Sequence, residues 1–259
     1  MPIHVNAKTL RLEEKTFAQI SYEVMRHIFA IHNDLGRFFD EKIYKRELAR
    51  CYPNVQLEVP IDVTFEDFGK RYFLDVLVNE GAVFEFKAVD SLAERHQSQL
   101  LHYLLLGELP RGKLVNMRTE QVQHKFVNAP LRLADRTKFV VESNEWAEIG
   151  NIKLQDWFVA FLRDVGAGLD LSLYEEALTH RLGGDEQSLH EVPVLSNNVR
   201  LGMQKFRLVA PDVALKVTTI KNADYFEVHA RRLIEHSALK AIQWINVARD
   251  VTSFRTIRK

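Results

Sequence analysis

The sequence predicts an α/β protein of two tandem domains, each a small mixed sheet flanked by helices. Three observations predict it. The first is an internal repeat. GRFFDEKIYKREL (Gly36 to Leu48) returns as GAGLDLSLYEEAL (Gly166 to Leu178), and Glu58-Val59-Pro60 returns as Glu191-Val192-Pro193. Gly69 returns as Gly202, VFEFKAV (Val83 to Val89) as ALKVTTI (Ala214 to Ile220), and Leu114-Val115-Asn116 as Trp244-Ile245-Asn246. Each match alone is weak, but the offset stays between 130 and 133 throughout, which is the mark of a duplication. The second observation is length: 259 residues accommodate two domains of ordinary size, divided as 1–130 and 131–259. The third is that the same order of helical and strand-like periods runs through both halves.

In the first half, Phe17, Ile20, Val24, Ile28 and Ile31 recur at helical spacing, predicting a helix from Leu12 to about Asn33 that stops before Gly36. A second helix, Asp40 to Cys51, places Glu41, Tyr44 and Leu48 on one stripe and is stopped by Pro53. Val55–Val63, Arg71–Val78 and Ala82–Val89 read as strands, with Glu80-Gly81 as the tight turn between the last two. A helix from Leu92 to Leu106 follows, then a strand from Lys113 to Met117 and a possible further one from Gln123 to Val127. In the second half the corresponding helices are Lys153–Val165, Leu171–Leu182 and Ala223–His236, and the strands Val192–Leu195, Gln204–Val209 and Val213–Ile220. Pro130 to Gly150 is a linker without a counterpart, in which KFVVE (Lys138 to Glu142) is a candidate strand.

Composition sets limits on function. With 46% hydrophobic residues there is material for a core in each half. Charge is balanced at 35 basic and 35 acidic residues, and splitting at Pro130 leaves 17 and 18 in the first half, 18 and 17 in the second. Neither half has the basic excess of a protein that coats nucleic acid, although an enzyme needs only a local phosphate site. Cys51 is the only cysteine, which excludes an internal disulfide and a thiolate metal cluster. No apolar signal core and no run of about 18 apolar residues is found, so a soluble cytoplasmic protein with no membrane partner is expected.

The chemistry concentrates in FLDVLVNEGAVFEFKAV. Along its second strand Val83, Glu85 and Lys87 alternate with Phe84, Phe86 and Ala88, and Asp75 lies on the preceding strand of the hairpin. Two carboxylates and a lysine on adjacent strands make an oxygen-rich cradle for a hard cation such as Mg²⁺, which relieves the repulsion between the acids. The lysine then orients or deprotonates a water, or balances charge on a phosphate. The plainer alternative is a solvated hairpin with a surface ion pair, which stabilises little. Against it stand the apolar residues Leu74, Val76, Val78, Phe84 and Phe86, which predict a buried hairpin. Glu41 offers a third carboxylate, and His96, Gln99 and Tyr103 share one face of the following helix.

LGRFFDEKIY, Asp75, Glu85-Phe86-Lys87 and RHQSQLLHYL together resemble the GxxExxY proteins, a family of the PD-(D/E)XK nuclease superfamily, over about residues 10–128. The resemblance implies two restriction-endonuclease-like domains. It implies that Asp75, Glu85 and Glu41 bind Mg²⁺, that Lys87 is the catalytic lysine, and that Gln99 supports the site from its helix. His96 and Tyr103 match the rest of that helix motif and are expected to face substrate. One departure is Phe38, which stands where the family signature has its first glycine; this changes the entry to the helix that bears Glu41.

The second half keeps Gly168 and Tyr174 but replaces Glu41, Asp75, Glu85 and Lys87 with Leu171, Phe206, Lys216 and Thr218. Without carboxylates it has no Mg²⁺ ligands. Its apolar periodicity survives, either as a decayed copy or as the partner that a symmetric nuclease dimer needs, supplied within one monomeric chain as an internal pseudo-dimer. In that role Lys216, Arg231 and Arg232 contact phosphate. Two functions follow for the chain: a Mg²⁺-dependent nuclease acting on DNA or RNA, with one active half, or a non-catalytic binding or scaffold protein that retains the fold. Tyr44 and Tyr174, equivalent in both halves, are expected in the core.

Overall fold

The computed structural model describes residues 2–149, 153–197 and 199–259, and the chain divides into two compact units, Met1–Asp135 and Arg136–Lys259. Gly150, the end of the expected linker, lies outside the described residues. Each unit is a six-stranded mixed sheet flanked by helices, as the sequence predicts. No helix among the described residues is long and apolar enough to cross a membrane.

The first unit runs β1 (Ile3–Val5), α1 (Glu14–Leu35), α2 (Glu41–Cys51), β2 (Val55–Phe65), β3 (Phe68–Val78), β4 (Ala82–Lys87), α3 (Glu94–Leu106), β5 (Arg111–Asn116) and β6 (Gln123–Asn128). Its strands lie in sequence order, antiparallel except for β4 beside β5. That parallel step follows from the crossover through α3 and makes β4 and β5 the most buried strands. Phe84, Phe86, Val76 and Val78 pack with Phe17, Val24, Ile28, Tyr44 and Leu48 of α1 and α2 in one apolar cluster. The β3–β4 turn differs in detail from the expected one. Positive φ falls on Asn79 and Glu80, while Gly81 is required because a Cβ there would lie 2.5 Å from the Leu10 carbonyl oxygen and from Leu12.

The second unit contains α4 (Leu133–Arg136, which straddles the boundary), β7 (Val140–Glu145), α5 (Leu154–Val165), α6 (Leu171–Arg181), α7 (Asp185–Ser188), β8 (Leu189–Ser196), β9 (Val199–Ala210), β10 (Val213–Thr218), α8 (Asp224–Glu235), β11 (Ala241–Val247) and β12 (Val251–Arg258). The sheet order is β7-β12-β11-β10-β9-β8, with β10 parallel to β11 and β7 parallel to β12. From β8 to β12 the succession of antiparallel and parallel pairs matches that from β2 to β6; the units differ at the added edge, β1 in one and β7 in the other. Lys216 pairs with Trp244 and Thr218 with Asn246, as Glu85 pairs with Leu114 and Lys87 with Asn116.

Two polar locks recur. Tyr44 donates its hydroxyl to the Gly36 carbonyl at 2.9 Å and accepts the Phe39 N–H at 3.1 Å; Tyr174 does the same with Gly166 and Leu169 at 3.0 and 2.9 Å. The Asn116 amide brackets Val89, accepting its N–H and donating to its carbonyl, and Asn246 brackets Ile220 identically. Both tyrosines are fully buried, so the expectation of core positions holds. Tyr174→Phe leaves a buried N–H and carbonyl without a partner and is expected to destabilise the protein by about 1–3 kcal/mol, measured by urea denaturation.

Candidate active site

The site grows from a tear in the first sheet. β3 and β4 pair only from Val76–Phe84 to Val78–Ala82, then separate. Across the opening, the Phe86 N–H donates to Asp75 Oδ2 at 2.9 Å, so a carboxylate stands where a strand carbonyl would otherwise be. The other oxygen, Oδ1, accepts a hydrogen bond from Lys45 Nζ at 2.8 Å.

Glu85 is 1% exposed at its side chain. Its Oε1 accepts from Lys87 Nζ at 2.7 Å, and its Oε2 is buried with no hydrogen-bond partner among the described residues. Burial, reinforced by the negative charge of Asp75, pushes the Glu85 carboxyl up to about 7 against the opposing pull of Lys87. Burial works to lower Lys87, but the Glu85 carboxylate, with Asp75 and Glu41 behind it, outweighs this and raises it, so Lys87 is a charged ammonium.

Glu41 opens α2, and its Oε1 accepts the Ala88 N–H at 2.9 Å, tying the end of β4 to the helix. The helix entry therefore tolerates Phe38, which is 76% exposed with the Arg37 guanidinium 5.2 Å from its ring. On α3, Gln99 donates to the Tyr103 hydroxyl at 2.9 Å. Burial raises the Tyr103 pKa; the Gln99 bond opposes this, and the charge of Glu85 adds to it. His96 sits in the cap of α3, its Nδ1 accepting the Ala93 N–H at 3.1 Å, with Arg95 Nε at 3.3 Å from Nε2. A neutral imidazole accepts at one nitrogen only, so these contacts are alternatives. Burial, then the charges of Arg95 and Lys87, lower its pKa and keep it neutral.

Two residues were missed by sequence reasoning. Lys45 is almost wholly buried although charged, and it binds both Asp75 and Glu58. Burial lowers its pKa, but the bonds to Asp75 and Glu58 outweigh this and raise it. Glu58 lies opposite Asp75 in the β2–β3 register, between the pairs Leu57–Val76 and Val59–Leu74, and takes φ 50° in mid-strand. Such a conformation in a non-glycine residue costs of order 1–3 kcal/mol and concentrates at functional sites. The available signal was the comparison of halves: Glu58 recurs as Glu191, while Lys45 falls opposite Glu175.

Among the described residues no three His, Cys, Asp or Glu side chains are gathered to hold a metal. Instead Lys45 sits on Asp75 and Lys87 on Glu85, while Glu41 is engaged by backbone. The orphaned Glu85 Oε2 and the two neighbouring carboxylates nevertheless fit a hard cation, since such an ion takes oxygen ligands and would satisfy a buried acceptor that has none.

At the corresponding place in the second unit the polar cradle is filled. Phe206 and Trp244 belong to an apolar cluster with Leu208, Ala214 and Ile242, and Phe226 stacks on Trp244 at 4.2 Å. The Trp244 indole N–H donates to Thr218 Oγ1 at 2.8 Å. Lys216 Nζ lies 5.8 Å from the Phe206 ring centre and borders a hollow with Glu175, Lys205 and Arg207. Arg231 borders a different hollow, with Trp146 and Thr256, and is bound by Glu227 and the Arg258 carbonyl; Arg232 is exposed.

Residues 18–128 match the family model of the PD-(D/E)XK nuclease superfamily. A search of the solved structures finds the crystal structure of SSO0001 similar at 20% identity with a TM-score of 0.30, over 44% of this chain and 63% of that one. The match thus spans less than two thirds of that chain. No curated protein matches.

Proposed function

We propose that the chain is a Mg²⁺-dependent nuclease, with a cleaving site in its first unit and a second unit that is a duplicated, non-cleaving copy. The observation that carries this reading is the Asp75–Glu85–Lys87 cluster at the tear between β3 and β4, inside the segment that matches the nuclease superfamily. Glu41 and Tyr44 resemble the last two positions of the GxxExxY signature, with Phe38 in place of its first glycine, and this resemblance supports the reading. The shared strand pairing and the repeated tyrosine and asparagine locks support duplication, and the apolar filling around Phe206 and Trp244 supports loss of the second site.

In this reading Asp75 and Glu85 hold Mg²⁺, with Glu41 at the edge of the site. The cation supplies Lewis-acid stabilisation of charge developing on a phosphodiester. Lys87, kept charged by Glu85, orients the scissile phosphate and balances its charge rather than taking up a proton. Gln99 fixes the Tyr103 hydroxyl beside the carboxylates. His96 shapes the start of α3, and the basic residues of the second unit, Lys216 foremost, contact the phosphate backbone.

A non-catalytic binding protein is the second reading, favoured by the lysines seated on both carboxylates. Cleavage of DNA or RNA that needs Mg²⁺ and disappears in Glu85→Ala supports the first reading; nucleic-acid binding without cleavage supports the second.

A further inference from the structure

The two carboxylates at the tear each carry a lysine, but the two lysines are not equivalent. Among the described residues Lys87 has one carboxylate partner within ion-pair distance, Glu85. Lys45 has two, Asp75 and Glu58, and these differ in burial: the Asp75 side chain is 14% exposed and that of Glu58 53%. Glu58 is also held facing Lys45 by an unusual backbone, with positive φ in the middle of β2 at the position opposite Asp75. A strand does not need that conformation; the pair with a buried lysine gives a reason for it.

Occupancy decides what happens when a divalent cation enters. Both Asp75 oxygens are engaged, Oδ2 by the Phe86 N–H and Oδ1 by Lys45, whereas Glu85 keeps Oε2 open beside its bond to Lys87. A cation that takes Asp75 must displace Lys45 from Oδ1, while one that takes Glu85 at Oε2 leaves Lys87 in place. Lys45 can give up Asp75 and remain paired with Glu58. We propose that Lys45 is the stand-in counter-ion of Asp75, and that cation binding releases it from Asp75 onto Glu58 alone, making Lys45 and Glu58 positioning residues that set cation affinity. The inference rests on the reading of Asp75 and Glu85 as cation ligands.

The test is calorimetric titration of the full chain with Mn²⁺ and with Mg²⁺, free of nucleic acid. Glu58→Gln, a change at a half-exposed side chain, is expected to weaken cation binding about tenfold or more, because Lys45 then has no carboxylate to accept it. Lys45→Met removes the competing ammonium and is expected to bind the cation at least as tightly as wild type. The double variant is expected to match Lys45→Met, so that the effect of Glu58→Gln vanishes once Lys45 is gone. Wild-type affinity in Glu58→Gln, or an equal loss in the presence and absence of Lys45, overturns the inference. If Lys45→Met does not fold by circular dichroism, Glu58→Gln alone decides it. Cation binding in wild type that is lost in Asp75→Ala upholds the metal site whichever way Glu58→Gln falls. No binding in wild type overturns both.

Discussion

Lys87→Met is expected to lower the rate of phosphodiester cleavage by about 10²–10³-fold without weakening cation binding. The side chain is only 12% exposed, so methionine fills its place and the strand is retained. What is lost is a positive charge held beside the carboxylates by Glu85. Removal of a fixed donor aimed at developing negative charge acts on turnover more than on substrate affinity. Single-turnover cleavage at saturating Mg²⁺, with calorimetric cation titration alongside, separates the two effects. Weaker cation binding with unchanged turnover would assign Lys87 to metal-site architecture instead.

The second large effect is on stability and follows from Glu85. Its carboxyl, ordinarily at 4.5, is raised to about 7 in the folded protein by burial and by Asp75. A group raised on folding contributes stability that is fully present below its unfolded value and is lost as pH climbs through its folded value. Wild-type protein without cation is therefore expected to lose stability between pH 4.5 and somewhat above 7, while Glu85→Gln, with nothing to ionise, does not. The difference should shift in favour of the variant by about 3 kcal/mol across that window. Paired urea titrations at pH 5 and pH 8 in chelator read it directly. Mg²⁺ should narrow the gap at pH 8, since a bound cation favours the ionised carboxylate.

Much of this was legible in the sequence because it rests on periodicity. Phe17, Val24 and Ile28 marked α1, and the alternation around Glu85 marked β4. The likeness between the halves sets Glu85 against Lys216 and Leu114 against Trp244, and within the two sheets Glu85 pairs with Leu114 and Lys216 with Trp244. Strands with little apolar signal were missed. β12 carries Thr252, Ser253, Arg255 and Thr256 among its apolar residues, and β1 is three residues long. The possible strand in the linker exists, shifted to Val140–Glu145, and forms a sheet edge.

The candidate site was legible as residue types but not as partnerships. Asp75, Glu85 and Lys87 are a loose pattern by spacing, singled out by the apolar residues around them, by Glu41 and the polar face of the next helix, and by the family resemblance. Nothing in spacing shows that Asp75 bridges to the Phe86 N–H, that His96 caps its own helix, or that Arg231 is held by Glu227 and a carbonyl. Lys45 was hidden for a plain reason: a lysine on the helix beside Tyr44 reads as surface, and only tertiary packing reveals that it is buried against two carboxylates.

The most direct measurement is cleavage of a mixed panel of labelled DNA and RNA, single- and double-stranded, by wild type and Glu85→Ala with and without Mg²⁺. The account predicts that wild type cleaves at least one member of the panel only with Mg²⁺, and that Glu85→Ala cleaves none. Cleavage that survives in Glu85→Ala, or a folded wild type that binds the panel with Mg²⁺ and cuts nothing, would contradict it.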